Sequence, residues 1–304
     1  MLWRFLGISL LTSAFVLLPI TGPLPPRAVA QSDWNAVSDV VGRKGELNQA
    51  GVYRVGFPRS DLKVSVGGTP IKTGLALGGW AAFRSDDNAT VVDGDFALLP
   101  SEINPVVTAL QSNGLAVTAL HNHLVGETPQ VMYLHFLGTG DATALARGIR
   151  AAIAETATPP PASSAGPTAE VPDWARALQQ SFGHSGAIKG GVLSIGVPRP
   201  EDIHADGVVL LPSMGMAHAF NFQEIDGGRV ATTGDFVLTD DEVNPVLRQL
   251  RAGGLGVTAI HNHLLHGMPS LIFMHFWGVG TPGQIGEALR QALAQAKTQH
   301  AKTH

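Results

Sequence analysis

A histidine pair separated by one residue occurs twice in this 304-residue chain, in residues 118–124 (TALHNHL) and residues 258–264 (TAIHNHL). A third histidine follows each pair after eleven residues, giving His121, His123 and His135, then His261, His263 and His275. Side chains alternate along a strand, so a strand reading places His121 and His123 on one face. An antiparallel return after a short turn brings His135 alongside them. Three neutral imidazoles without a fourth protein ligand form the pattern of an open metal site, with zinc as the default ion and other divalent transition metals as alternatives. The competing reading is a metal-free polar cluster or ligand pocket. Two imidazoles buried together leave four ring nitrogens to satisfy, and a metal satisfies two of them at once.

Polar residues near the triplets recur in pairs: Arg59/Arg199, Asp95/Asp235, Glu102/Glu242, Asn104/Asn244 and Thr118/Thr258. Glu102 and Glu242 are the candidate catalytic residues, because each precedes the helix that leads into a histidine strand. Such a carboxylate serves as a general base, as a support for an imidazole, or as a helix-start residue favoured by the dipole. Asp95 and Asp235 each follow a glycine, which reads as a turn. The two arginines either clamp an anion or pair with Asp61 and Glu201. No nucleophile elbow, phosphate loop or Ser-His-Asp signature is present.

The recurrence has a single offset. A shift of 140 residues aligns Trp34 with Trp174, FPR (57–59) with VPR (197–199), GDFALLPSEINPV (94–106) with GDFVLTDDEVNPV (234–246), and all six histidines, without a gap. The chain is therefore read as two tandem copies of one domain, residues 33–153 and 173–296, joined by a Pro/Ala/Ser-rich linker at 154–172. The copies are expected to pack as an intramolecular pseudo-dimer. Within a copy, residues 51–57 and 80–85 read as strands. Ile103, Val106, Val107 and Leu110 lie at helical spacing, with Asn104 as cap and Pro105 in the first turn. Residues 115–124 and 130–138 read as a hairpin, and a second helix begins at Asp141. The fold class that follows is α+β: in each copy a mostly antiparallel sheet, two helices and a His-bearing hairpin.

Residues 1–30 run from a basic Arg4 through an apolar stretch to Ala28-Val29-Ala30, the order of a secretory signal peptide cleaved after Ala30. The alternative is an uncleaved anchor, but the apolar run is short for a span and is broken by Pro19, Pro23, Pro25 and Pro26. The expected product is a periplasmic or secreted protein with no stable membrane anchor. The chain has no cysteine, which excludes disulfides, thiolate metal sites and a lipidated cleavage site. Its formal charge of −4 becomes −6 once the two arginines of residues 1–30 are removed, and nothing in it favours nucleic acid as a partner. A small-molecule or cell-envelope ligand is the expected partner.

The motifs GDFALLPSEINPVVTALQSNGLAVTALHNHL (94–124) and MYLHFLGTGDATALARGIRAAI (132–153), with their second copies, resemble the LppY/LpqO family of exported bacterial proteins. That resemblance implies export and a duplicated architecture. The best-known members look like lipoproteins, whereas this chain lacks the lipid-accepting cysteine. The hairpin alone is similar to the three-His zinc site of the acetolactate-decarboxylase-like fold. This second likeness implies zinc at each of the two triplets and a hydrolase or lyase acting on a small carbonyl or ester substrate. The alternative is a non-catalytic periplasmic module that binds a metal or an envelope ligand.

Overall fold

The computed structural model of the chain describes residues 33–86, 89–161 and 170–299. The expected signal peptide and the middle of the linker lie outside the described residues.

The first copy contributes nine strands: β1 (Glu46–Leu47), β2 (Val52–Pro58), β3 (Ser65–Val66), β4 (Thr69–Pro70), β5 (Gly78–Asp86), β6 (Ala89–Leu98), β7 (Ala116–His121), β8 (Glu127–Thr128) and β9 (Met132–Gly140). The second repeats them as β10 (Ala187–Lys189), β11 (Val192–Pro198), β12 (Ile203–Ala205), β13 (Val208–Leu210), β14 (Ala217–Ile225), β15 (Arg229–Leu238), β16 (Gly256–His261), β17 (Gly267–Met268) and β18 (Ile272–Gly280). Each copy forms an antiparallel six-stranded sheet, in the orders β1-β2-β5-β6-β9-β7 and β10-β11-β14-β15-β18-β16. The small sheets β4-β3-β8 and β13-β12-β17 hold the turn that follows each histidine pair. The fold is thus α+β in tandem, as the strand and helix periodicities imply.

Helices cover one face of each sheet. In the first copy α1 (Trp34–Val41), α3 (Ile103–Ser112) and α4 (Ala142–Ala154) bury Val37, Val106, Leu110, Leu145 and Ile149 against Val55, Phe57, Phe83, Val92, Phe96 and Phe136. In the second, α5 (Asp173–Phe182), α6 (Asp240–Ala252) and α7 (Pro282–Leu293) pack likewise, while α2 (Thr73–Ala76) is a single turn of the first copy. The sequence reading named two helices per copy and missed α1 and α5. Residues 34–41 (WNAVSDVV) mix Asn, Ser, Asp and three valines, which have little intrinsic preference for helix. What holds α1 is its cap, with the Asp33 carboxylate accepting from the Asn35 and Ala36 amides, and the burial of Val37 and Val41.

The other sheet faces turn toward each other. Val52, Ala82, Val91 and Leu137 of the first copy share a buried cluster with Met214, Val237, Leu264 and Phe273 of the second. Polar contacts cross the same interface: the Lys72 amide donates to Gln223 Oε1 at 2.7 Å, and Arg84 Nη2 to the Val209 carbonyl at 2.8 Å. Residues on the inner faces of the two sheets are therefore brought within reach of one another.

Candidate metal centre

β7 and β16 lie at the sheet edges, each paired only with the long strand β9 or β18. The register places His121 opposite Tyr133 and Ala119 opposite His135, with a bulge at Thr118; Thr258 occupies the same position in the second copy. A bulge re-aims the residues beyond it. The strand was expected to run through residue 124, but it stops at His121. The Asn122 amide group turns the chain by donating to the Leu124 carbonyl at 2.9 Å, and crosses the interface to the Thr258 carbonyl at 3.1 Å. Thr258 answers, its hydroxyl donating to the His123 carbonyl at 2.6 Å. The first copy's loop is thus tied in part by the second copy.

The imidazoles meet across that interface. Ring centroids of His121 and His261 lie 3.8 Å apart, those of His123 and His275 3.8 Å, and those of His135 and His263 3.7 Å. Within a copy the spacings are longer: 5.1 Å for His121–His123 and for His121–His135, and 4.8 to 5.8 Å in the second copy. Two groups of donor atoms fall within 4.8 Å of one another among the described residues: His121, His261, His263 and His275, and His123, Asp235 and His275. Both mix the copies. The expectation of one separate triplet per copy is corrected accordingly, because strand alternation specifies a face and the packing of the two faces specifies the neighbours.

The protonation pattern suits ligation. Burial, reinforced by the neighbouring imidazoles, holds His121, His123, His135 and His263 well below the usual imidazole range and lowers His261 to about 4. All five are neutral at pH 7 and keep a ring lone pair, as a metal ligand must. Nδ1 of His121 and His261 faces the carbonyls of Asn122 and Asn262 at 3.3 and 3.2 Å, and Nδ1 of His275 faces Gly234 at 3.4 Å. Donation there puts the proton on Nδ1 and leaves Nε2 free. Nε2 of all six histidines is buried without a hydrogen-bond partner. Unpaired buried polar atoms are rare, and six converging at one place fit a bound cation.

Asp95 and Asp235 belong to the same centre. They sit in the middle of β6 and β15, directly opposite His135 and His275, rather than in turns. The glycine before each has a packing cause. A Cβ on Gly94 would lie 2.2 Å from the Phe136 ring, and one on Gly234 2.0 Å from the Ala219 carbonyl. Retention of Gly-Asp inside an apolar, alternating run was the available sequence signal for these two acids. Burial raises the Asp95 carboxyl well above the usual range, and Asp235 and Asp93 add to the shift. A cleft of about 370 Å³ opens beside the centre, lined by His123, His135, His263, Asp95, Asp235, Arg54 and Trp80 among others.

Glu102 and Glu242 have a different occupation from the catalytic one expected of them. Arg59 holds Glu102 through two contacts at 2.6 and 3.1 Å, and the amides of Leu99 and Ala157 donate to the same carboxylate. Arg199, Thr239 and Lys297 repeat the arrangement at Glu242, with Arg–Glu contacts of 2.6 and 3.4 Å. Burial pushes the Glu242 carboxyl up, but these bonds outweigh it and hold the group below its ordinary value. Each oxygen of Glu242 already accepts two hydrogen bonds, so no lone pair remains for general-base work. The pair anchors the helix start and the segment that follows the last helix of each copy. Arg59 and Arg199 also pair with Asp61 and Glu201, which leaves neither as an anion clamp.

Among solved structures, similarity extends to a trimeric bacterial microcompartment shell protein PduB, at 11% identity, and to EtuB from Clostridium kluyveri, at 9%. Each match covers 83% of this chain and 90% of the other, with a TM-score of 0.20, which carries no argument about fold or function. No curated protein matches the chain. A family model matches it twice, once per copy, over residues 35–155 and 176–295, and the chain therefore belongs to the family described as Domain of Unknown Function (DUF1259).

Proposed function

We propose that this chain is an exported metal protein, of the LppY/LpqO type, whose two copies jointly hold a divalent transition metal, zinc by default. The observation that carries the reading is the convergence of six buried, unpaired Nε2 atoms from both copies. When bound, such an ion supplies Lewis acidity to a carbonyl or ester group in the adjoining cleft. The activity that fits is that of a hydrolase or lyase on a small substrate. Among the chain's own residues, His123, Asp235 and His135 line the cleft wall where a substrate would lie, and Arg54, stacked 4.0 Å over Trp80, places a cation beside it. The basic, apolar and small-residue order of residues 1–30 supports export.

A second reading, a non-catalytic metal carrier, is favoured by the group His121, His261, His263 and His275, whose four nitrogens would fill a tetrahedral shell. Elemental analysis of the chain, purified without chelator and then zinc-loaded, tests the common part. Bound metal is expected, with less of it in His275→Ala; a chain that takes up none at micromolar zinc overturns the proposal. Hydrolysis of small esters, lactones and 2-keto acids by the loaded chain separates the two readings, since the carrier turns over none of them.

A further inference from the structure

The exchange that carries one copy onto the other carries the donor group His123, His275 and Asp235 onto His263, His135 and Asp95. Both groups show the same cross-copy ring contact, at 3.8 and 3.7 Å. In both, a carboxylate lies against the histidine opposite it on the neighbouring strand. Asp235 Oδ1 approaches His275 Nδ1 at 2.6 Å and His123 Nδ1 at 3.6 Å, and Asp95 Oδ1 lies 3.9 Å from His135 Nε2. The Asp235 contact with His275 is close but lacks hydrogen-bond geometry, and Asp235 Oδ1 has no hydrogen-bond partner. Asp95 Oδ1 is in the same condition.

Eight buried donor atoms are therefore unpaired at this centre, six imidazole nitrogens and two carboxylate oxygens. A single four-coordinate ion uses half of them and strands four buried polar atoms. Among the described residues, neither Asp95 nor Asp235 has an ion pair with lysine or arginine. One unpaired carboxylate oxygen stands beside each cross-copy histidine pair, so a cation at each pair would satisfy both carboxylates.

We propose that the centre is binuclear. One ion is held by His123, His275 and Asp235, the other by His263, His135 and Asp95, and His121 and His261 sit on the pseudo-two-fold axis between them. Each site takes one histidine from one copy and a histidine–aspartate pair from the other, so neither copy alone contains a complete set. The inference rests on the metal reading above and deepens it by assigning the aspartates as ligands and setting the stoichiometry.

The experiment is zinc stoichiometry on the full chain after equilibration with excess ion and gel filtration, with folding of each variant checked by its thermal transition. Two ions per chain are expected, falling to one for Asp235→Asn, which keeps the side-chain shape but lacks the charge. Two ions retained in Asp235→Asn overturn the ligand assignment. One ion in both proteins overturns the binuclear centre, leaving the four-histidine site and the metal reading intact. No bound ion overturns both. Should the variant fail to fold, the wild-type chain loaded with Mn²⁺ decides by electron paramagnetic resonance: a spin-coupled pair supports the proposal, and a single uncoupled ion overturns it.

Discussion

The two copies share a frame and differ in the wall of the cleft. Both keep the buried Arg–Glu clamp, the bulge threonine, the Gly-Asp step and all three histidines. Where the first copy has Arg54, Trp80 and Asp93, the second has, at the same register positions, Ser194, Ala219 and Thr233; where the first has Gly79, the second has the buried His218. The paired aspartates diverge in setting too, Asp95 with its side chain 8% exposed and Asp235 24%. Two redundant sites would be expected to carry equivalent walls. A shared centre needs only the donors and the frame to stay paired, while its two walls are free to differ. Duplication here preserved what positions the imidazoles and diversified what a ligand would touch.

The frame is the strongest place to break this comparison. Arg59→Ala and Arg199→Ala each strand a buried glutamate, and removing one partner of a buried pair costs about 3–5 kcal/mol. Urea unfolding of the full chain should show similar losses for the two variants; a loss below about 1 kcal/mol for either would mean that its clamp does not hold the fold.

The next effect belongs to one copy. His218 Nδ1 accepts from the Val237 amide at 3.1 Å, and burial lowers its pKa from an ordinary 6.5 to about 4. The unfolded chain therefore binds the proton more readily than the folded one. Stability is full above the unfolded value of about 6.5 and is lost as pH falls toward about 4, by a total on the order of 3 kcal/mol. Comparing wild type with His218→Gln between pH 7 and pH 4 isolates this term from the other histidines, and parallel pH profiles for the two proteins would refute it.

Smaller again are the glycines. A Cβ at Gly94 meets the Phe136 ring and, at 2.7 Å, the Trp80 carbonyl, whereas one at Gly234 meets only backbone, at 2.0 Å; both substitutions should cost about 1–3 kcal/mol, the second more because its carbonyl clash is closer. Equal thermal shifts for the two would remove that distinction. The smallest difference concerns the bulge threonines. Thr258→Val removes the bond to the His123 carbonyl and should cost about 1 kcal/mol, whereas the Thr118 hydroxyl has no partner and Thr118→Val should be near neutral. The reverse order in denaturant midpoints would show that the interface is tied from the other side.

Much of the fold was legible in the sequence because it is periodic. The apolar spacing of Ile103, Val106 and Leu110 marked α3, and the apolar run within residues 130–138 marked β9. Asp141 announced α4 as its cap, accepting from the Ala144 amide at 2.8 Å. Short elements were less legible: α1 offers one buried face over eight residues, and its stability comes from packing and its cap rather than from composition. Glu102 and Glu242 stood out by recurring near the histidines. Recurrence, however, cannot separate a residue kept for anchoring from one kept for chemistry. Asp95 and Asp235 were misread as turn residues because glycine before aspartate is a turn signal wherever the reason for the glycine is out of view. That reason is the Phe136 ring and the Ala219 carbonyl, the first from a strand about 40 residues away and the second from the adjoining strand.

The amino-acid order alone determined that the chain is a duplication, that each half is α+β, and that six histidines with two aspartates recur at one offset. These are properties of spacing and identity, which a linear text carries in full. The tertiary structure alone decided that His123 meets His275, that His135 meets His263, and that the centre lies between the copies. Strand alternation has a period of two and names only the face a side chain leaves from. Its neighbour across a sheet-on-sheet interface depends on how two apolar faces fit together, through contacts such as Val91 and Leu137 with Val237 and Phe273. No local period encodes that fit.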